Sequence, residues 1–119
     1  MASNRVKNAE RAVIPILHEL AAIGLSPVQI EKLKELINAV YREPFCRRLP
    51  SKVWAELCAI IYRRDGYICA YCADIEGPFH IDHIEPLTRS GTNDPDNLCV
   101  ACRTCNLSKG DLFVKEWQG

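Results

Sequence analysis

The chain has 119 residues and a mass of 13.4 kDa, room for one small domain or for a domain with a helical arm. Hydrophobic residues make up 48% and charged residues 25%, which excludes the disordered and collagen-like classes. Lys and Arg total 15 and Asp and Glu total 15, and this zero net charge excludes a polybasic protein that holds nucleic acid over its whole surface.

The first half reads as helices. Val6, Val13, Ile16, Leu17, Leu20 and Ile23 recur close to a 3.6-residue period, which predicts helix from about Asn4 to Ile23. Pro15 predicts a kink there or a split into two helices, and Gly24 ends the segment. Ser26-Pro27-Val28-Gln29 then supplies an N-cap, a proline at N1 and a capping-box glutamine at N3. Ile30, Leu33, Leu36, Ile37 and Val40 form the apolar stripe of a second helix, ending near Arg42 before Glu43-Pro44. Ser51 caps a third helix carrying Val53, Trp54, Leu57, Ile60 and Ile61 and closed by Asp65-Gly66.

The second half is denser in turns. Tyr67 to Ala73 predicts a small hairpin or knuckle, and Phe79 to Ile84 a short strand ended by Pro86. A turn-rich loop, Leu87 to Asp96, leads to a second strand from Asn97 to Ala101. Arg103 to Lys109 predicts a short helix stopped by Gly110, and Asp111 can cap a last turn with Phe113 and Trp117. The expected organisation is a helical region over 1–50 and a second domain over 51–119. Residues 1–50 hold eight basic and five acidic residues, a net of +3, and residues 51–119 hold seven and ten, a net of −3.

No apolar run approaches the roughly 18 residues of a membrane span, and Met1 to Glu10 carries no signal-like apolar stretch. The expectation is a cytoplasmic protein with no membrane partner. Stable disulfides are disfavoured in that reducing setting, and the seven cysteines are an odd number, so metal binding is the better explanation. Cys69-Ala-Tyr-Cys72 and Cys102-Arg-Thr-Cys105 are two C-x-x-C pairs with 29 residues between them. Each pair can set two thiolates on one side of a tight turn, and two such turns close a tetrahedral zinc site. Cys99-Val-Ala-Cys102 has the same spacing, but Cys99 fits the apolar pattern of the second strand and reads as core. Four cysteine ligands leave no open position, so this zinc would be structural. Cys46 and Cys58 read as small hydrophobes.

Between and around these pairs lie Arg64-Asp65-Gly66, Asp82-His83 with Pro86-Leu87, Ser90-Gly91, Asn97-Leu98 and Cys105-Asn106-x-x-Lys109-Gly110. Their order and spacing, from about Glu56 to Phe113, resemble the HNH endonuclease family, in its H-N-N variant because Asn106 stands where many members have His. The resemblance implies an α+β fold with a ββα-metal (His-Me finger) core, stapled by the zinc site and preceded by the helical arm. It implies metal-dependent hydrolysis of DNA phosphodiester bonds, leaving a 5′-phosphate and a 3′-hydroxyl. His83 matches the general base, Asp82 and Asn106 the ligands of a catalytic metal, and Asn97 the residue that ties down the loop and holds the base in place. Asp82 and Asn106 both offer oxygen, a hard donor that favours Mg²⁺ or Mn²⁺ over zinc. Arg64, Arg89, Arg103 and Lys109 are candidate contacts to DNA phosphates.

Adjacent strand residues point to opposite faces, so Asp82 and His83 can serve one phosphate only if the strand bends or ends there. His80, on the other face from His83, reads as structural or supporting, and His18 as a surface residue of the arm. Arg42, Arg47, Arg48 and Lys52 form a basic cluster that either grips DNA backbone or is a solvated helix face. The arm could also pack against a second copy to form a homodimer, which would give a double-strand cut its two active sites. The alternative to a nuclease is a catalytically inactive, zinc-stapled nucleic-acid-binding module. A redox or purely structural zinc protein is the more distant reading.

Overall fold

The computed structural model describes residues 13–20, 22, 26–41 and 48–118. They fall in two compact units, Met1–Arg64 and Asp65–Gly119. The expected helix before residue 13, and the expectations for Arg42, Arg47 and Cys46, lie outside the described residues.

The first unit is helical. Helix α1 covers residues 13–20 and includes Pro15. Helix α2 is Pro27–Tyr41, and its start is held by the capping box: the Ser26 amide donates to Gln29 Oε1 at 2.7 Å and the Gln29 amide to Ser26 Oγ at 3.3 Å. Helix α3 is Ser51–Asp65, with Arg63 and Arg64 in its last turn and Gly66 beyond it at a positive φ of 74°. Of the periodic apolar positions, Val13, Leu17, Leu33, Ile37, Val53, Leu57, Ile60 and Ile61 are buried, joined by Leu49, whereas Ile16 is exposed. Among the described residues no helix is long and apolar enough to cross a membrane.

The second unit is built on two strands. Strand β1 (Phe79–His83) runs antiparallel to β2 (Leu98–Cys102), with Asp82 opposite Cys99 and His83 opposite Leu98. Every residue of β2 is buried, which is why it reads as the continuous apolar run Leu-Cys-Val-Ala-Cys. The connection expected as one loop contains two 3₁₀ turns, Leu87–Arg89 and Pro95–Asn97, so Asn97 ends a turn and the strand begins one residue later. Helix α4 (Arg103–Lys109) follows β2 directly and packs on both strands, and α5 (Val114–Gln118) closes the described chain.

Candidate active site and metal cluster

The first cysteine pair sits on a tight knuckle. The Cys69 amide donates to Asp74 O and the Ala73 amide to Cys69 O, each at 2.9 Å, with Ala73 in the left-handed region. The second pair straddles the junction of β2 and α4, where Cys102 Sγ caps the helix by accepting from the Cys105 amide at 3.4 Å. The sulfurs of Cys69, Cys72, Cys102 and Cys105 all lie within 4.8 Å of one another. Cys72 Sγ and Cys102 Sγ are 3.7 Å apart. A tetrahedron with Zn–S bonds of about 2.3 Å has edges of about 3.8 Å. The thiols are free. Cys99 stands apart, its Sγ directed at the Tyr71 hydroxyl at 3.4 Å.

The electrostatics of the four sulfurs point to a cation. Burial opposes ionisation of Cys69, but hydrogen bonds from the backbone of Cys102, Cys72 and Tyr71 outweigh it and bring the thiol from 9.0 down to about 6. Burial, and then the three neighbouring cysteines, push the Cys105 thiol up. A positive ion among the sulfurs would relieve the resistance to ionisation at Cys72 and Cys105.

Asp82 lies beside this cluster, buried, with Oδ2 held twice. The Tyr71 hydroxyl donates to it at 2.6 Å, and Lys109 Nζ lies 3.2 Å away. Both of these contacts fall on Oδ2 rather than Oδ1. Asn106 shares α4 with Lys109 three residues on, so both lie on the helix face that meets β1. The Asn106 side chain makes no hydrogen bond among the described residues. A carboxylate oxygen and an amide group on facing elements fit a hard divalent cation.

Lys109 was expected at a DNA phosphate. Its side chain is instead fully buried, and Nζ also donates to the His83 carbonyl at 3.1 Å. A buried ammonium needs an anion and hydrogen-bond acceptors, and Asp82 and the strand end supply both. Lys109 thereby binds the carboxylate of one residue and the backbone of the next.

His83 is the last residue of β1. Its Nε2 is 2.8 Å from Asn93 Oδ1. In the tautomer that makes this bond, Nε2 donates to the amide oxygen. Asn97 acts on either side of this pair. Its Oδ1 accepts from the Glu85 amide at 2.8 Å, and its Nδ2 donates to Glu85 O at 3.0 Å and Thr92 O at 2.8 Å. The end of the strand bearing His83 is thus clipped to the loop bearing Asn93.

The same loop explains Ser90-Gly91. The amides of Arg89 and Gly91 both donate to Pro86 O at 2.9 Å, and Ser90 takes a left-handed φ of 69°. A Cβ at Gly91 would lie 1.8 Å from the Glu85 carbonyl oxygen. Gly91→Ala therefore has to push the loop off the strand end. The expected cost is about 2–3 kcal/mol of stability with zinc retained, read by chemical denaturation. An alanine variant as stable as the parent would refute this close approach.

The remaining candidates are dispersed. Arg89 Nη1 pairs with Glu116 Oε1 at 2.5 Å and its guanidinium lies 3.9 Å over the Phe113 ring. Arg103 is exposed at the start of α4, and Arg64 is half-buried in the last turn of α3. His80 is exposed, as is His18 in the first unit. Tyr71 and Asn93 were not singled out by the sequence. Tyr71 is an intervening residue of a cysteine pair, and Asn93 looks like any loop asparagine.

The fold and the cluster define the second unit as a small α+β domain with a four-cysteine site able to hold zinc. Residues 69–112 match the family model described as HNH endonuclease. The chain is 40% identical over 43 residues to the SPbeta prophage-derived putative HNH endonuclease YoqL of Bacillus subtilis (strain 168). The aligned stretch is 36% of this chain and spans only 17% of that relative. No solved structure gives a significant match.

Proposed function

We propose that the chain is a metal-dependent endonuclease that hydrolyses DNA phosphodiester bonds, with His83 as general base and one Mg²⁺ or Mn²⁺ on Asp82 and Asn106. The observation that carries this reading is the separate anchoring of two neighbouring groups. Asp82 is fixed by Tyr71 and Lys109, and His83 by Asn93. A purely nucleic-acid-binding module has no use for a carboxylate held in this way beside an oriented imidazole.

Asp82 and Asn106 would hold the divalent cation through their side-chain oxygens, and when bound it would supply positive charge to the scissile phosphate and the leaving oxygen. His83 Nδ1 accepts the proton of the attacking water, while Nε2–H goes on donating to Asn93 Oδ1 and stabilises the imidazolium that forms. Asn97 keeps strand and loop together through this change of charge. Cleavage on this path leaves a 5′-phosphate and a 3′-hydroxyl. Arg103, exposed at the start of α4, Arg89 and Arg64 remain the candidates for further phosphate contacts. Lys109 serves as an internal brace, because its ammonium is buried.

The test is supercoiled plasmid with the purified protein in Mg²⁺, in Mn²⁺ and in EDTA. Nicking or linearisation in a divalent ion, stopped by EDTA and restored by excess metal, is the expected result. Equal cleavage in EDTA would overturn the metal-dependent reading. Saturable, salt-sensitive binding without cleavage of duplex, branched or single-stranded DNA would favour the inactive binding module.

A further inference from the structure

The two metal-binding regions are joined by one side chain. Tyr71 lies between the zinc-site residues Cys69 and Cys72, yet its hydroxyl reaches 2.6 Å from Asp82 Oδ2. We propose that Tyr71 is a positioning residue that transmits the geometry of the cysteine knuckle to the catalytic carboxylate, turning Asp82 Oδ1 toward the divalent cation. This inference rests on the reading of Asp82 as a metal ligand.

The support for Tyr71 comes from every side. Its backbone is fixed by the knuckle, where the amide of Ala70 donates to Val100 O at 2.8 Å and that of Ala73 to Cys69 O at 2.9 Å. Its ring meets Trp117 edge-on at 5.1 Å, and Trp117 is itself anchored by an indole bond to Ser108 Oγ at 3.0 Å. The hydroxyl has a second neighbour, Cys99 Sγ, which can donate to it at 3.4 Å. That leaves the single phenolic proton for Asp82. A carboxylate with Oδ2 occupied by Tyr71 and Lys109 has one rotamer and one oxygen to offer, and preorganisation of this kind strengthens metal binding.

The test is Tyr71→Phe, which keeps the ring, its contact with Trp117 and all four cysteines. Mn²⁺ binding is measured without DNA by electron paramagnetic resonance, alongside zinc per chain. The expected result is wild-type zinc content and Mn²⁺ affinity weaker by about 10–100-fold. In the cleavage assay the Mn²⁺ concentration for half-maximal rate should rise by the same factor, with the rate at saturating Mn²⁺ much less affected. Asp82→Asn is the companion variant. If it abolishes Mn²⁺ binding and Tyr71→Phe binds like the wild type, the role of Tyr71 is overturned while the site stands. If Asp82→Asn leaves Mn²⁺ binding unchanged, the metal-ligand reading itself has failed. Should Tyr71→Phe not fold, 3-fluorotyrosine placed at position 71 keeps the hydroxyl. Its ¹⁹F resonance should then shift on Mg²⁺ titration, in step with metal binding, and a resonance indifferent to Mg²⁺ would overturn the proposal.

Discussion

His83→Ala should abolish DNA cleavage, lowering the rate by about 10²–10⁴-fold, the span of a lost general base. The fold should survive, because the imidazole is only partly buried at the end of β1. Lys109 grips the carbonyl of residue 83, which alanine retains. Zinc per chain and the denaturation profile should therefore match the parent, separating chemistry from stability. Asn93→Ala provides the graded companion. It leaves the base present and removes the acceptor that fixes its tautomer, so its rate should fall between those of His83→Ala and the parent. The measurement is plasmid cleavage at saturating Mg²⁺ and Mn²⁺, and parental turnover by His83→Ala would end the general-base assignment.

Loss of zinc should unfold the second unit. Cys72→Ser is the informative variant, because Cys72 is exposed and its thiol contributes no buried packing. Structural zinc in small finger peptides is worth about 10–16 kcal/mol. A domain of this size has only a few kcal/mol of net stability, about 5 at most. Cys72→Ser, or prolonged chelation of the parent, should abolish amide protection in β1, β2 and α4 and release the zinc. Cys58→Ser is the control: that thiol lies outside the cluster, its pKa raised to about 11 by burial, and zinc content should not change. Acid should act in the same direction. In the metal-free cluster Cys69 titrates below its ordinary 9.0, so its contribution is complete above about 9 and lost as pH falls through about 6. Zinc uptake releases protons, and its affinity should fall across that window. Retained strand protection in zinc-free Cys72→Ser protein would show that the metal is dispensable for the fold.

Much of this site was legible in the residues. The capping box at Ser26 and Gln29, the stop of α3 at Asp65-Gly66 and the span of α4 all depend on neighbours within a few positions, and such local rules act the same way in any context. The two C-x-x-C pairs likewise announced a metal site, because each spacing makes its own turn. What spacing does not carry is the partner of a side chain. Lys109 reads as a surface charge and is buried against Asp82, since that depends on α4 folding back over β1. Tyr71 is a spacer between cysteines until the knuckle lays it against the strand, and Asn93 is a turn residue until the loop closes on His83. Asn97 shows both sides. Its motif position was visible, but its three bonds to Glu85 and Thr92 exist only once strand and loop meet.

The family resemblance, the four cysteines and the candidate base and metal ligands could be read from the residues, because these rest on residue chemistry at fixed spacings. Tertiary structure alone decided which groups hold them: Tyr71 and Lys109 on Asp82, Asn93 on His83, and a glycine pressed against the Glu85 carbonyl. The physical reason is range. Turn and capping preferences are settled within a few residues, whereas burial of a charge and the pairing of its hydrogen bonds are settled by elements 10 to 30 positions apart, brought together only when the chain packs.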